Sequence, residues 1–289
     1  MRVLVLGRNG QVGHELARAA WPSALEPHVC DRTECDITDA AAVDRVFAAI
    51  GPEIVINVAA YTAVDRAEQE PAQALAVNRD GTANLARAAA DQGAAMLHVS
   101  TDYVFDGSKA TPWVETDPVA PLGSYGASKE EGERVLREVL PRHVILRTAW
   151  VFGAHGANFV RTIHRVAQAN PKLRVVADQF GGPTPARDIA ATLIRMAEAV
   201  AADKAVWGTF HYAGAPTTSW HGFAEAIVRL SGLTTPVEPI ATVDWPTPAR
   251  RPANSRLDCR KIGRSYGIAP PSWEAGLADV LAEWGALAP

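Results

Sequence analysis

Two rhythms of apolar and polar positions share this chain. Short unbroken apolar runs, each closed by glycine or a polar residue, alternate with longer stretches in which apolar side chains recur every three or four positions. The first pattern reads as strand buried on both faces, the second as amphipathic helix. Residues 2–7 are an apolar run ending at Gly7, and 11–21 follow with helical spacing. A second strand is predicted over 27–30, a helix over 39–50, and a third strand over 53–60, apolar throughout Ile54-Val55-Ile56. A long alanine-rich helix over 71–92 comes next, then a fourth strand over 95–99, a helix carrying Tyr125, and a fifth strand over 144–147. Alternation this regular predicts an α/β fold: a doubly wound parallel sheet of the Rossmann type with right-handed crossovers.

Beyond residue 150 the rhythm loosens. Helices are predicted over 158–169, over 186–200, from Ser219 to about Leu230 and over 272–284. Strands are expected at 208–213 and near 237–240, and a proline- and arginine-rich stretch precedes the last helix. The expectation is a smaller C-terminal α/β lobe, with 186–213 returning to the main sheet.

At 289 residues and 30.8 kDa the chain suits one large domain or two intimately joined ones. A net charge of −4, a pI near 6.1 and the lack of any block of like charges argue against a nucleic-acid surface. The opening apolar run is too short for a signal peptide, and no window approaches the apolar length of a membrane span, so neither is expected. Cys30, Cys35 and Cys259 are sparse and isolated from further metal-binding residues. They read as reduced thiols of a cytoplasmic protein, with no metal site.

Candidate chemistry lies at the strand ends. Gly7-Arg8-Asn9-Gly10-Gln11-Val12-Gly13 follows the first strand and opens the first helix. Missing Cβ atoms let a backbone approach phosphates, and the helix N-terminus offers free N–H groups and a positive dipole end, which suits a dinucleotide pyrophosphate. Asp31 closes the second strand, where a carboxylate would accept from an adenosine ribose and favour NAD. Arg32 and Arg8 point the other way, toward a 2′-phosphate, so NADPH or NADH stays an open choice. Asp36 lies near the expected adenine position or else caps a helix. Ala59-Ala60-Tyr61-Thr62 ends the third strand, where open α/β sheets hold ligands; Asn78 reads as a structural tie. The expected division is a dinucleotide-binding domain of 1–150 and 186–213 and a substrate-binding lobe of 151–185 and 214–289.

Ser100-Thr101-Asp102-Tyr103 ends the fourth strand, and Tyr125 and Lys129 stand four apart on the next helix. That spacing puts both on one helix face, and a neighbouring ammonium is expected to lower the phenol's pKa toward useful acid–base work. By itself the pair reads as an ordinary exposed aromatic and a solvated lysine; the rest of the chain turns it toward chemistry. Thr101 has a plain alternative as a strand-end cap, Trp150 as core, and Arg251 as a surface ion pair.

Taken together, the glycine turn, the Ser-Thr-Asp and the Tyr-x-x-x-Lys helix resemble the extended short-chain dehydrogenase/reductases. Residues 8–16, 59–65, 100–107, 147–153, 178–184 and 251–255 narrow the resemblance to the dTDP-4-dehydrorhamnose reductase branch. The resemblance implies NAD(P)H-dependent reduction of the 4-keto group of a dTDP-linked 6-deoxy-hexulose, with Tyr125 as proton donor. Lys129 would bind the nicotinamide ribose and Thr101 the substrate carbonyl oxygen. Gly7, Gly10, Gln11, Val12, Gly13, Asp31, Asp36, Ile37, Ala60, Tyr61, Thr62 and Val99 would contact the dinucleotide. Asp102 and Trp150 would contact the substrate, and Asn158, Arg251 and Ser255 would hold nucleotide or sugar from the second lobe. It also implies helix-mediated homodimers. A sugar-nucleotide 4-epimerase of the same fold stays open, as does a non-catalytic NADP-binding regulatory subunit resembling that of methionine adenosyltransferase. A 4,6-dehydratase is disfavoured because Tyr103, not glutamate, follows Asp102.

Overall fold

The apolar runs become the strands of one six-stranded parallel sheet in a computed structural model that describes residues 1–288. These strands are β1 (Arg2–Leu6), β2 (Glu26–Cys30), β3 (Ile54–Asn57), β4 (Ala95–Thr101), β5 (His143–Thr148) and β6 (Gly208–His211). Their spatial order is β2-β1-β3-β4-β5-β6, with every neighbouring pair parallel. The chain therefore moves one way from β1 to β2 and the other way from β1 to β3, which opens a crevice at the C-terminal ends of β1 and β3. β6 pairs with β5 from Gly208 opposite Val144 to His211 opposite Arg147, so the chain returns to the sheet after residue 200.

Alternation along each strand feeds two apolar layers. Val3, Val5, Ile54 and Ile56 face one cluster while Leu4, Leu6 and Val55 face the other, and all seven are essentially inaccessible to water. Helices α1 (Gln11–Arg18), α2 (Ala40–Ile50), α3 (Gly81–Gln92) and α4 (Ser124–Val139) fill the crossovers. Farther along come α5 (Phe159–Ala169), α6 (Ala186–Ala201), α7 (Trp220–Leu230), α8 (Arg260–Tyr266) and α9 (Trp273–Glu283). α1 and α6 supply Leu16, Ile189 and Leu193 to the first layer; α2, α3 and α4 supply Phe47, Leu85 and Leu136 to the second. No helix among the described residues is long and apolar enough to cross a membrane.

The structure departs from the sequence-based expectation in three places. The alanine-rich helix over 71–92 is interrupted: Pro71–Leu75 is α-helical, Ala76–Asp80 forms a π turn, and α3 resumes at Gly81. That wider turn carries Asn78, whose amide bonds both backbone groups of Tyr61 and the hydroxyl of Ser128. The proline- and arginine-rich stretch contains α8, whose Ile262 is fully buried. Leu173–Val176 forms a parallel pair with Val237–Ile240, a partnership between distant segments that leaves no local pattern to read.

Candidate active site

A cleft of about 1040 Å³ opens where the C-terminal ends of β1, β3, β4 and β5 meet the second half of the chain. Its floor begins at the glycine turn. Gly7 has φ +103°, and a Cβ there would lie 2.6 Å from Ala59 N; a Cβ on Gly13 would lie 1.9 Å from Gly7 O. Gly7 therefore permits the turn and Gly13 permits α1 to seat against it. No side chain caps the start of α1 and no acid sits in its first turn, so its N–H groups face the cleft uncompensated. Gly7, Gly10, Gln11 and Val12 line the cleft, whereas Gly13 does not.

The end of β2 differs from the sequence reading in a way that bears on cofactor choice. Asp31 does not line the cleft. Its Oδ1 accepts from the amide and hydroxyl of Thr33, at 2.8 and 2.7 Å, and from Glu34 N at 3.2 Å. Those Thr33 bonds hold its carboxyl below the usual range. The residues that do reach the cleft are Arg32, Cys35, Asp36 and Ile37, with Arg32 Nε donating to Asp36 Oδ2 at 2.9 Å. Arg8 does not line it and stands 3.9 Å from Glu34.

Ala60, Tyr61 and Thr62 form the wall after β3. Asn78 clamps Tyr61 there, accepting from its N–H at 2.9 Å and donating to its carbonyl at 3.1 Å. The Tyr61 hydroxyl is spent on Glu70 at 2.7 Å.

The opposite wall is built by β4 and α4. Glu68 accepts from Ser124 N at 2.7 Å and so caps α4 from outside its own segment. Close approach of α4 depends on Gly126, where a Cβ would lie 2.2 Å from Tyr103 O. Tyr125, Lys129, Val99, Thr101, Asp102 and Trp150 all line this wall. Thr101 is both a cap and a cleft residue: its hydroxyl accepts from Tyr103 N at 3.2 Å and donates to Asp102 Oδ1 at 3.0 Å. Burial pushes the Asp102 carboxyl up to about 7, against the hydrogen bond from Thr101.

One electrostatic expectation is corrected. Burial pushes the Tyr125 phenol up to about 12, opposed by a hydrogen bond with Thr101, and the Lys129 ammonium is not among the causes. Lys129 is itself driven down to about 8 by burial, with Glu133 pulling it back up. Its Nζ donates to Val99 O at 2.8 Å and faces His98 Nε2 at 3.1 Å. The (i, i+4) spacing placed the two side chains on one face; the carbonyl of Val99 took the ammonium.

Trp150 is both wall and packing. It closes β5 in the left-handed region, at φ 48°, and stacks on Trp220 with ring centroids 3.5 Å apart. A Cβ on Gly181 would lie 2.5 Å from its ring. A bulky side chain held at positive φ is a strained backbone of the kind that gathers at functional sites. Asn158 reaches the cleft, caps α5 by accepting from Arg161 N at 3.0 Å, and donates to Gln11 Oε1 at 3.0 Å. Arg251 and Ser255 do not line the cleft. Arg251 grips Asp65 through two donors, at 3.1 and 2.9 Å, and Ser255 donates to Phe180 O. Sequence reasoning missed Trp220, Glu68 and His98, which act through partners dozens of residues away and leave no local signal.

The family described as RmlD substrate binding domain matches residues 1–285. The dTDP-4-dehydrorhamnose reductase of Aggregatibacter actinomycetemcomitans is 44% identical over 289 residues, covering 97% of this chain and 98% of that protein. The solved structure of a dTDP-4-dehydrorhamnose reductase from Clostridium acetobutylicum matches with a TM-score of 0.93 and 36% identity, covering 99% of this chain and all of that one. That of the Bacillus anthracis protein, in complex with NADP, matches with a TM-score of 0.91 and 35% identity over 98% and 99% of the two chains.

Proposed function

This chain belongs to the RmlD substrate binding domain family, and on that premise we propose that it is an NAD(P)H-dependent reductase. Its substrate would be dTDP-4-dehydro-6-deoxy-L-mannose (dTDP-4-dehydro-β-L-rhamnose), and its product dTDP-L-rhamnose. The observation that carries the reading is the meeting of Thr101, Tyr125 and Lys129 on one wall of a cleft floored by a glycine turn. The residues fit a dinucleotide: a tight glycine turn lining the cleft, and an uncapped helix N-terminus beside it. When bound, the cofactor supplies the hydride. This chain's residues handle the rest of the carbonyl reduction. The Thr101 hydroxyl and the Tyr125 phenol would meet the C4 oxygen, polarise it, and stabilise the charge that develops there. Tyr125 gives that oxygen its proton, and the raised phenol pKa keeps the proton in place at neutral pH until it is needed. Lys129, mostly an ammonium at pH 7, would hold the nicotinamide ribose.

Residues 1–150 and 186–213 are assigned to the dinucleotide, and 151–185 and 214–289 to the sugar nucleotide, with Asp102 and Trp150 between them. The family resemblance also supports a cytoplasmic location and a homodimer. The purified protein, given this keto-sugar nucleotide, is expected to consume one reduced cofactor per sugar, read as loss of nicotinamide absorbance. Interconversion of two hexoses with no net cofactor consumption would overturn the reading in favour of an epimerase.

Cofactor preference follows from the end of β2. With Asp31 tied into its own turn, Arg32 is the cation after β2 that faces the cleft, and its terminal nitrogens are free to meet a 2′-phosphate. The Arg32→Ala variant is expected to bind NADPH roughly 10- to 100-fold more weakly, as one lost charge-assisted contact implies, with NADH affinity unchanged. Titration calorimetry with both cofactors checks this; parallel losses would sink it.

A further inference from the structure

His98 lies on β4 beneath Lys129, fully buried, and sits opposite Asn57 in the register of β3 and β4. None of the steps above uses it. The hydrogen bonds in this row have a direction that can be read from one end. A backbone N–H only donates, so the Asn57 atom facing Ala59 N at 3.0 Å is Oδ1. The other amide atom, Nδ2, faces His98 Nδ1 at 3.1 Å and donates to it. His98 Nδ1 is then an acceptor, so the ring proton sits on Nε2, which faces Lys129 Nζ at 3.1 Å. An uncharged amine accepts that proton while still donating to Val99 O at 2.8 Å. An ammonium has no lone pair and meets the ring donor to donor.

We propose that His98, oriented by Asn57, is a positioning residue that selects the protonation state of Lys129. The row from Ala59 through Asn57 and His98 accepts Lys129 as an amine. Lys129 becomes an ammonium without conflict at Nζ only when the His98 proton moves from Nε2 to Nδ1 and Asn57 turns its amide over, which gives up the Ala59 N–H bond to Oδ1. The ring stays neutral throughout, and the proton gained by Lys129 comes from water in the cleft.

The charged surroundings leave room for such control. Glu133, one turn farther along α4, favours the ammonium, but it is bound to Arg147 and Arg137. Tyr125 stands one turn earlier on α4, and Asp102 follows the end of β4. Burial, then the charges of Lys129 and His143, keep the His98 ring from protonating fully. Burial also brings Lys129 down to about 8, within reach of neutral pH.

The inference rests on reading Lys129 as part of a reductase site, so its test has one arm that needs no turnover. In protein labelled with ¹⁵N-histidine, the His98 signals, identified by their loss in His98→Gln, are expected to report an Nε2–H ring above the Lys129 titration and an Nδ1–H ring below it. A single tautomer at every pH, or a doubly protonated ring, would overturn the proposal whatever the enzyme reduces. In the second arm, glutamine offers Lys129 an oxygen acceptor. The alkaline limb of kcat/KM in His98→Gln is therefore expected to move up by about one pH unit. A uniform loss of activity with the limb unmoved would make His98 a packing residue only. Thermal unfolding of the variant shows whether it remains folded.

Discussion

Tyr125→Phe is expected to lower turnover by about 10²- to 10⁴-fold, the range over which positioned general acids act, while NADPH affinity stays as in the parent. The substitution removes one oxygen and leaves the ring. The ring packs edge-on against Tyr103 with centroids 5.7 Å apart, and that contact needs no hydroxyl. Asn78 and Ser128, which tie α4 to the wall after β3, do not touch the phenol oxygen. On the proposed mechanism, what disappears is the proton that the C4 oxygen would take as hydride arrives. Because burial holds the phenol near 12, the parent enzyme keeps this proton across the whole neutral range. Loss of activity on the alkaline side is therefore expected to follow Lys129, lowered to about 8, before it follows Tyr125. Stopped-flow reduction with saturating cofactor separates the chemical step from binding. A variant that reduces the keto-sugar at the parental rate would remove Tyr125 from its role.

Arg147→Met is expected to destabilise the fold by about 3–5 kcal/mol, the cost of leaving a buried charge without its partner. Glu133 is wholly inaccessible, and its two oxygens accept from Arg147 Nε at 2.9 Å and Nη2 at 2.6 Å. Ser100 donates to the same carboxylate, and Arg137 reaches it from the helix surface at 3.0 Å. Burial alone would raise the Glu133 carboxyl; the Arg147 bonds and charge outweigh it and hold the group below its ordinary range. A carboxyl whose folded pKa is depressed stabilises the protein above its unfolded pKa. That contribution is lost as pH falls through the folded value. The parent is therefore expected to lose stability below the ordinary carboxylate range, and the variant to lose less there. Urea unfolding at pH 7 and at acid pH measures both. A cost under about 1 kcal/mol, the size of an exposed pair, would show that the ion pair is not buried in solution. Adding Glu133→Gln to Arg147→Met is expected to recover part of the loss, since no naked carboxylate then remains.

Much of the candidate site was legible because its residues sit at strand ends. A run such as Ile54-Val55-Ile56 reads as a strand covered on both faces, and in a parallel sheet the residues after each strand share one edge. Gly7, Tyr61, Thr101 and Tyr125 are thus brought together by the order of strands and helices alone. The resemblance puts Gly13 on the cofactor, yet a Cβ there would strike Gly7 O, so its smallness serves the packing of α1. Asp31 was legible as a carboxylate at the end of β2, but its turn consumes Oδ1 through Thr33 and Glu34 and leaves Arg32 facing the cleft. The resemblance puts Arg251 on nucleotide or sugar, but its fork is occupied by Asp65.

From the order of its residues alone, this chain determined the parallel sheet, the glycine turn and the shared face of Tyr125 and Lys129. Periodicity and backbone sterics act over a few residues and need no distant partner. Only the tertiary structure decided which hydrogen-bonding groups were already taken. Lys129 Nζ went to Val99 O, the Tyr61 hydroxyl to Glu70, and the Glu133 carboxylate to Arg147. Such pairings join segments far apart in the chain. They follow from burial, where each donor must find whichever acceptor the packing brings within reach.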